Sequence, residues 1–510
     1  MKVLVLNGSP AGDNSITLQT INYIRKFYEN MEFDVLHAGK RIKSFEKDFS
    51  VAAKALAETD LIIFCYPVYT FLVPAQLHRF IELIGENGID ISGKYATQVS
   101  TSKHFYDTTA HAFIRDICHD LGLKYVRGLS ADMEDLLGRK GQKQARDFFR
   151  YVRWNMKHGY SEPYLSSAQN NLPAPMETEA ANRITGFQTE TDERDPSLHT
   201  EAAERDPGLQ LKASLKNPAS CDRRIAIVAD LPAEGEASVL REMVTCFQAN
   251  CAAACDVINI REFPFKGGCL GCFHCAADGT CIYKDGFDRF LRENIQEADA
   301  VVYAFAIRNH SMGSRFKMFD DRQFCNGHRT VTMGKPVGYL IEGDLTREIN
   351  LQTVMEARAQ VGGNFLAGIA SSGAEMTNIG AGVVCSDSSM ACIGAGMEGQ
   401  VLQLARTMEY AISTGYNPPA NFYGVGGMKI FRDLIFQMQG LMREDHRFYK
   451  EHHFYDFPQK RKGMIVGMYL VGAMMNNPKL KRKMGGKMTE GMLMPYRKVL
   501  ESMDRRKKKK

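Results

Sequence analysis

The sequence predicts two doubly wound α/β domains in tandem, followed by a helical C-terminal extension. Three observations carry this reading. In two separate parts of the chain, short apolar runs alternate with stretches of helical spacing, the pattern of parallel sheets covered by helices. The length, 510 residues, is too great for one ordinary core. The composition, 44% hydrophobic and 24% charged, is that of a globular chain. The expected division is residues 1–158 for the first domain, 159–221 for a flexible linker, 222–415 for the second domain and 416–510 for the extension.

In the first domain, Lys2 to Leu6 is a nearly unbroken apolar run, as in a strand buried on both faces. It ends at Asn7-Gly8-Ser9-Pro10-Ala11-Gly12-Asp13-Asn14-Ser15-Ile16-Thr17, and helical spacing continues through Leu18, Ile21 and Ile24. A strand, a loop of small hydroxyl and amide residues, then a helix offers backbone N–H groups and hydroxyls to a phosphate. The lysine of a Walker loop and the spacing of a dinucleotide fingerprint are both missing. Further strands are expected at Phe33–Leu36, Leu61–Cys65, Lys94–Ser100 and Lys124–Leu129, with helices over Lys43–Ala57, Thr109–Leu121 and within Ala131–Tyr151. Ligands of such sheets bind beyond the carboxyl ends of the strands. There the loop Tyr66-Pro67-Val68-Tyr69-Thr70-Phe71-Leu72-Val73-Pro74 offers aromatics to a flat ring, and Thr101-Ser102-Lys103-His104-Phe105-Tyr106 adds hydroxyls.

Asn7-Gly8-Ser9-Pro10 with Asn14-Ser15-Ile16-Thr17, and Tyr66-Pro67-Val68-Tyr69 followed by Gln76-Leu77-His78-Arg79-Phe80-Ile81-Glu82, resemble the NADPH-dependent FMN reductases of the flavodoxin-like superfamily. The resemblance implies that Ser9, Pro10, Asn14, Ser15 and Thr17 bind the FMN phosphate end. It implies that Pro67, Val68, Tyr69 and Thr70 line the flavin ring, with Ser102 beside them. Catalytic residues remain unassigned.

Residues from about 160 to 221 carry few large apolar groups and repeat the phrase Glu-Arg-Asp-Pro at 193–196 and 204–207, as a connector would. The alternation then resumes. Strands are expected at Arg224–Ala229, Val257–Ile260, Ala298–Ala306, Val337–Ile341 and Phe365–Ala370. Helices are expected at Ala237–Asn250, Phe287–Ile295, Leu351–Val361 and Met397–Ile412. Where the first domain has Gly8-Ser9-Pro10, the second has Asp230, Glu234 and Glu236, whose charge repels a phosphate. The second domain is therefore expected to have lost much of its own flavin site.

After its second strand come Cys269, Cys272, Cys275 and Cys281, four thiols within thirteen residues flanked by glycines. Three tightly spaced thiols and a detached fourth suit a 4Fe-4S cluster. A zinc site more often uses two separated Cys pairs, and a loop with metal-free thiols is the third alternative. Coming after the second strand of a flavodoxin-like domain, these residues resemble the iron–sulfur flavoproteins of anaerobes, which implies FMN and a 4Fe-4S cluster exchanging electrons.

The net charge is +5, and Arg505 to Lys510 supply +6 of it, so no basic face points to nucleic acid. The remaining nine cysteines are scattered, as in a reducing, cytoplasmic compartment. The apolar run Met464 to Met475 is about half a membrane span, and no span is expected. The extension, with a helix around Lys429–Met442, is expected to cap a cofactor site or an interface. The function expected is that of an NAD(P)H-dependent flavin oxidoreductase. It would pass electrons through FMN and the cluster to a small-molecule or redox-protein acceptor, as a homo-oligomer. A non-enzymatic electron carrier or a redox sensor with degenerate sites is the alternative.

Overall fold

The computed structural model describes residues 1–163, 223–276, 278–373 and 396–475. The expected linker lies almost wholly outside these residues, as do the glycine-rich segment with Cys385 and Cys392 and the basic tail.

The first half runs β1 (Lys2–Asn7), α1 (Ile16–Arg25), β2 (Glu32–Leu36), α2 (Ala38–Phe45), α3 (Ser50–Ala57), β3 (Leu61–Pro67), α4 (Ala75–Glu86), β4 (Tyr95–Ser102), α5 (Asp107–Asp120), β5 (Lys124–Tyr125), β6 (Leu129–Asp132) and α6 (Arg139–His158). The second half runs β7 (Arg224–Ala229), α7 (Val239–Ala249), β8 (Ala254–Asn259), α8 (Phe287–Phe290), β9 (Ala300–Ala306), α9 (Gly313–Arg322), β10 (Pro336–Glu342), α10 (Ile349–Gly362), β11 (Phe365–Ser371) and α11 (Met397–Thr414). Then come α12 (Phe422–Gln437), α13 (Arg443–Glu451) and α14 (Lys462–Met475).

The first sheet has the order β2-β1-β3-β4-β5, with β6 also on β4; the second reads β8-β7-β9-β10-β11. All pairings are parallel, with Val5 opposite both Val35 and Ile63. The two sheets therefore share one doubly wound order, as the alternation predicts. Several boundaries differ from expectation, and β8 begins at Ala254 where Val257 was expected. The helix expected over Lys43–Ala57 is two helices, and the fifth strand is split by Val126–Gly128. The helix at Phe287 passes after one turn into a π-helix, Leu291–Gln296.

The chain forms two compact units, Met1–His446 and Arg447–Lys510, and both sheets belong to the first. One apolar core, from Leu4 and Phe80 to Phe319 and Met355, runs through both halves. Burial of Phe80, Phe316 and Phe319 there contributes roughly 1.5–3 kcal/mol each. Helices α4 and α9, which follow the third strands of their sheets, exchange caps across this core. Asp321 accepts the Ala75 N–H at 2.8 Å, and Glu82 accepts the Ser314 N–H at 2.7 Å. Each carboxylate meets the positive end of the other helix, so the halves relate as the two members of a dimer. Lys317, fully buried, donates to Tyr69 O at 2.9 Å and Thr70 Oγ1 at 2.7 Å and pairs with Asp321. A buried ammonium needs such a complete set of acceptors.

Helix α12 lies over both halves. Phe431 stacks on Phe105 with centroids 4.2 Å apart, and the Tyr106 hydroxyl donates to Tyr423 O at 2.8 Å. In the second unit, α14 leaves Met464, Val466, Met468, Tyr469 and Leu470 exposed. Among the described residues, no helix is long and apolar enough to cross a membrane.

Candidate functional site

Beyond the carboxyl ends of β1, β3 and β4 lies a cavity of about 600 Å³. Three loops of the first half and the cysteine loop of the second form its walls.

The first loop is knotted by Asn7. Its amide oxygen accepts from Ser9 N at 3.1 Å, and its amide hydrogens go to Gly12 O at 2.8 Å and His37 Nδ1 at 3.1 Å. That arrangement leaves the proton of His37 on Nε2, 3.1 Å from Asp13. Gly12 turns the chain with φ +60°, a conformation that favours glycine. Ser15 caps α1 by accepting from Leu18 N at 3.3 Å, and the hydroxyls of Thr17 and Thr101 meet at 2.6 Å. Ser9, Ser15 and Thr17 are buried, yet each borders the cavity.

The second loop is a turn in which Tyr69 and Leu72 exchange backbone hydrogen bonds of 2.8 and 3.0 Å. Between them Thr70 and Phe71 are left-handed, with φ of 38° and 71°, which costs non-glycine residues energy. The Lys317 network holds the turn closed, and Thr70 donates to Asp321 at 2.6 Å. The second half repeats this turn at Arg308–Ser311, where Asn309 and His310 are left-handed (φ 48° and 58°). The backbone shape thus outlasted the loss of the Pro-x-Tyr residues.

The cysteine loop connects β8 to α8 and is tied to both halves. Arg322 anchors its base through a two-pronged ion pair with Asp285 at 2.8 and 2.9 Å and a bond to Gly267 O at 2.9 Å. Its guanidinium also lies 4.6 Å from the Tyr283 ring and 5.0 Å from Phe287. From the first half, Gln76 donates to Cys269 O at 3.1 Å and Lys43 to Lys266 O at 2.6 Å. Gly271 has φ +61°, and a Cβ there would lie 1.9 Å from the Tyr69 hydroxyl oxygen. The loop and the Tyr69–Leu72 turn are therefore in direct contact.

All four predicted cysteines border the cavity. The Cys275 thiol donates to Phe324 O at 3.1 Å, and Cys269 Sγ accepts from Gly271 N at 3.4 Å. Burial pushes the Cys269 thiol far above its usual range and Cys275 up to about 11, and the neighbouring sulfurs add to both shifts. Among the described residues, no three His, Cys, Asp or Glu side chains meet closely enough to hold a single metal ion.

Of the predicted cofactor residues, Ser9, Asn14, Ser15, Thr17, Pro67, Val68, Tyr69, Thr70 and Ser102 border this one cavity, and buried Pro10 does not. His274 also borders it, whereas His104 and Tyr106 do not. Residues unforeseen from the sequence are Cys325, Arg358 and, from α12, Phe431 and Leu434. Cys325 is buried, and burial first, then Cys275, pushes its thiol up to about 12. Thr101, in the hydroxyl-bearing loop read from the sequence, borders the cavity as well.

The corresponding loop of the second half is closed by its own charges. Asp230 pairs with Arg261 at 2.6 Å, and the Leu240 N–H near the start of α7 donates to Glu342 at 3.1 Å. A carboxylate thus occupies the helix end that a phosphate would need.

Comparison with known proteins agrees with the repeated fold. The model of the NADPH-dependent FMN reductase family matches residues 1–131 and again 225–363. An iron-sulfur flavoprotein of Archaeoglobus fulgidus is 34% identical over 73 residues, 14% of this chain and 33% of that protein, so the chain spans about a third of that relative's length. A flavoenzyme NAD(P)H:acceptor oxidoreductase from Paracoccus denitrificans aligns at 20% identity and a TM-score of 0.26, over 31% of this chain and 98% of that one. An NADH:FMN oxidoreductase in its apo form aligns at 18% identity and a TM-score of 0.27, over 30% and 89%. With more than half of its residues matched, in two copies, the chain belongs to the NADPH-dependent FMN reductase family.

Proposed function

We propose that the protein is an NAD(P)H-dependent flavin oxidoreductase that holds FMN on residues 1–158 and a 4Fe-4S cluster on residues 222–415. The observation that carries the reading is the shared cavity, where the hydroxyl-rich loops of one half face the four thiols of the other. Its volume of about 600 Å³ falls within the usual range for a cofactor or drug-sized ligand, roughly 300–1,000 Å³. Ser9, Ser15 and Thr17, with the free N–H groups at the start of α1, are suited to the phosphate end. Pro67, Val68, Tyr69 and Thr70 are suited to the ring, and the Lys317 network fixes Tyr69 and Thr70 among them before any ligand arrives. Phe105 and Phe431, stacked together, shield one wall from water.

The sulfur set suits a cube by number, and all four cysteines border one chamber. A cubane takes one thiolate at each iron corner and so spreads its ligands around one centre, whereas a lone zinc draws all four to one point. Cys269, Cys272, Cys275 and Cys281 would hold it. When bound, the two groups supply the interconversion of hydride transfer and single-electron transfer. The acceptor is then a small molecule or a redox protein, met from the chamber side.

Oxygen-free purification followed by flavin, iron and sulfide assays tests the assignment. The expected contents are roughly one FMN and about four irons per chain. A colourless preparation free of both would end the reading. Oxidation of NAD(P)H by the purified protein with an added dye acceptor separates an enzyme from a carrier, which would show none.

A further inference from the structure

Tyr69 stands where the flavin-side turn and the cysteine loop touch. Its backbone is fixed twice over, by the exchange with Leu72 and by the Lys317 ammonium on its carbonyl. Its ring packs edge-on against Phe324, with centroids 5.5 Å apart, and the Phe324 carbonyl takes the Cys275 thiol hydrogen. The phenol oxygen therefore has little freedom, and it lies over Gly271, where a Cβ would come within 1.9 Å of it. Gly271 precedes Cys272 directly, and its N–H already donates to Cys269 Sγ. The hydroxyl thus meets the loop at the turn between two of the four thiols, and no described residue accepts its hydrogen.

We propose that the Tyr69 hydroxyl is the hydrogen-bond donor that tunes the sulfur set of this loop, and that position 271 is glycine so the hydroxyl can reach it. The inference rests on the cluster assignment above. Its chemistry is general. A phenol keeps its proton at neutral pH, and a donor to cluster sulfur withdraws electron density, favours the reduced state and raises the potential. Tyr69 would act as a positioning and tuning residue, not as one that reacts.

The test is an anaerobic redox titration of the full chain, followed by electron paramagnetic resonance and visible absorbance. Tyr69→Phe keeps the ring and its contact with Phe324 and removes only the O–H. The expected result is a loaded cluster whose midpoint has moved to more negative potential. Should Tyr69→Phe fail to hold iron, Gly271→Ala serves instead. Its methyl group pushes the phenol off the loop, and the same negative shift is expected. A loaded variant with an unmoved midpoint overturns the inference while leaving the cluster assignment standing. Wild-type protein that binds no iron overturns both.

Discussion

The two halves share one strand order, one tight turn after the third strand and one pair of exchanged helix caps, yet only one of them keeps an open loop after its first strand. In the first half the one charged residue of that loop, Asp13, is exposed and lies 3.1 Å from His37, while the buried Ser9, Ser15 and Thr17 border a cavity. In the second, Asp230 is locked to Arg261, and Glu342 takes a backbone N–H near the start of α7. The scaffold is the same, so the difference teaches that a few side chains at a helix start decide whether its N–H groups are left for a ligand or taken by a carboxylate. What the second half gave up there it regained at the loop after β8, which carries the thiols. The counterpart in the first half is α2, where Gly39 packs against the backbone of Gly8 so closely that a Cβ would lie 2.3 Å from its carbonyl oxygen.

The caps between halves are equivalent in position and unequal in burial, and that inequality gives the largest expected effect. Asp321 is wholly buried with Lys317, whereas the Glu82 side chain keeps 13% exposure. Asp321→Ala should therefore cost about 3–5 kcal/mol in urea unfolding, because it strands a buried ammonium. Glu82→Ala should cost about 1–2 kcal/mol, the value of its hydrogen bonds to Ser314. Equal losses would break the asymmetry.

Next in size is the charge at the first loop. Ser9→Asp, which brings a carboxylate into that loop as Asp230 does in the second half, should weaken FMN retention at least tenfold, about 1.4 kcal/mol, in equilibrium dialysis. Asp230→Ser in the second half should leave the flavin content unchanged. A smaller effect separates the two N-caps, Ser15 on Leu18 N and Ser238 on Arg241 N. Each Ser→Ala should cost about 1 kcal/mol of stability, but only Ser15→Ala should also lower flavin content.

The turns differ in charge as well. His310 sits where the first half has Phe71, and it bridges Asp120 of the first half at 2.8 Å and Glu348 at 3.0 Å. Hydrogen bonds to both carboxylates raise its pKa from 6.5 to about 10. A raised value means that the stabilisation is complete below about pH 6.5 and is lost as pH climbs toward 10. His310→Phe should therefore lower urea stability at pH 6 and differ little from wild type near pH 10.

Much of this fold could be read locally. β1 announces itself because burial on both faces demands an unbroken apolar run, and the Gly-Ser-Pro turn with Ser15 and Thr17 marks the loop proposed to hold the phosphate. The cysteines are legible as a set because they lie together in sequence. What the sequence hides are contacts across distance. Cys325 and α12 border the cavity without any local motif, since only tertiary packing brings them there. The α12 boundary was misread for a related reason. Gly424 and Gly427 suggest a break before a helix around Lys429, but the helix begins at Phe422. These glycines permit close approach, as a Cβ would lie 2.7 Å from the Gln360 carbonyl oxygen or 2.6 Å from Val361 Cγ2. The mutual capping of α4 and α9 was equally invisible, because Glu82 and Asp321 look like ordinary surface acids.

The continuous apolar core through both halves has one more consequence. A two-chain version of this arrangement would fall apart on dilution, and its paired loops with it. Here the two walls of the chamber are made in equal number by every translated chain, and their encounter does not depend on how much protein the cell holds.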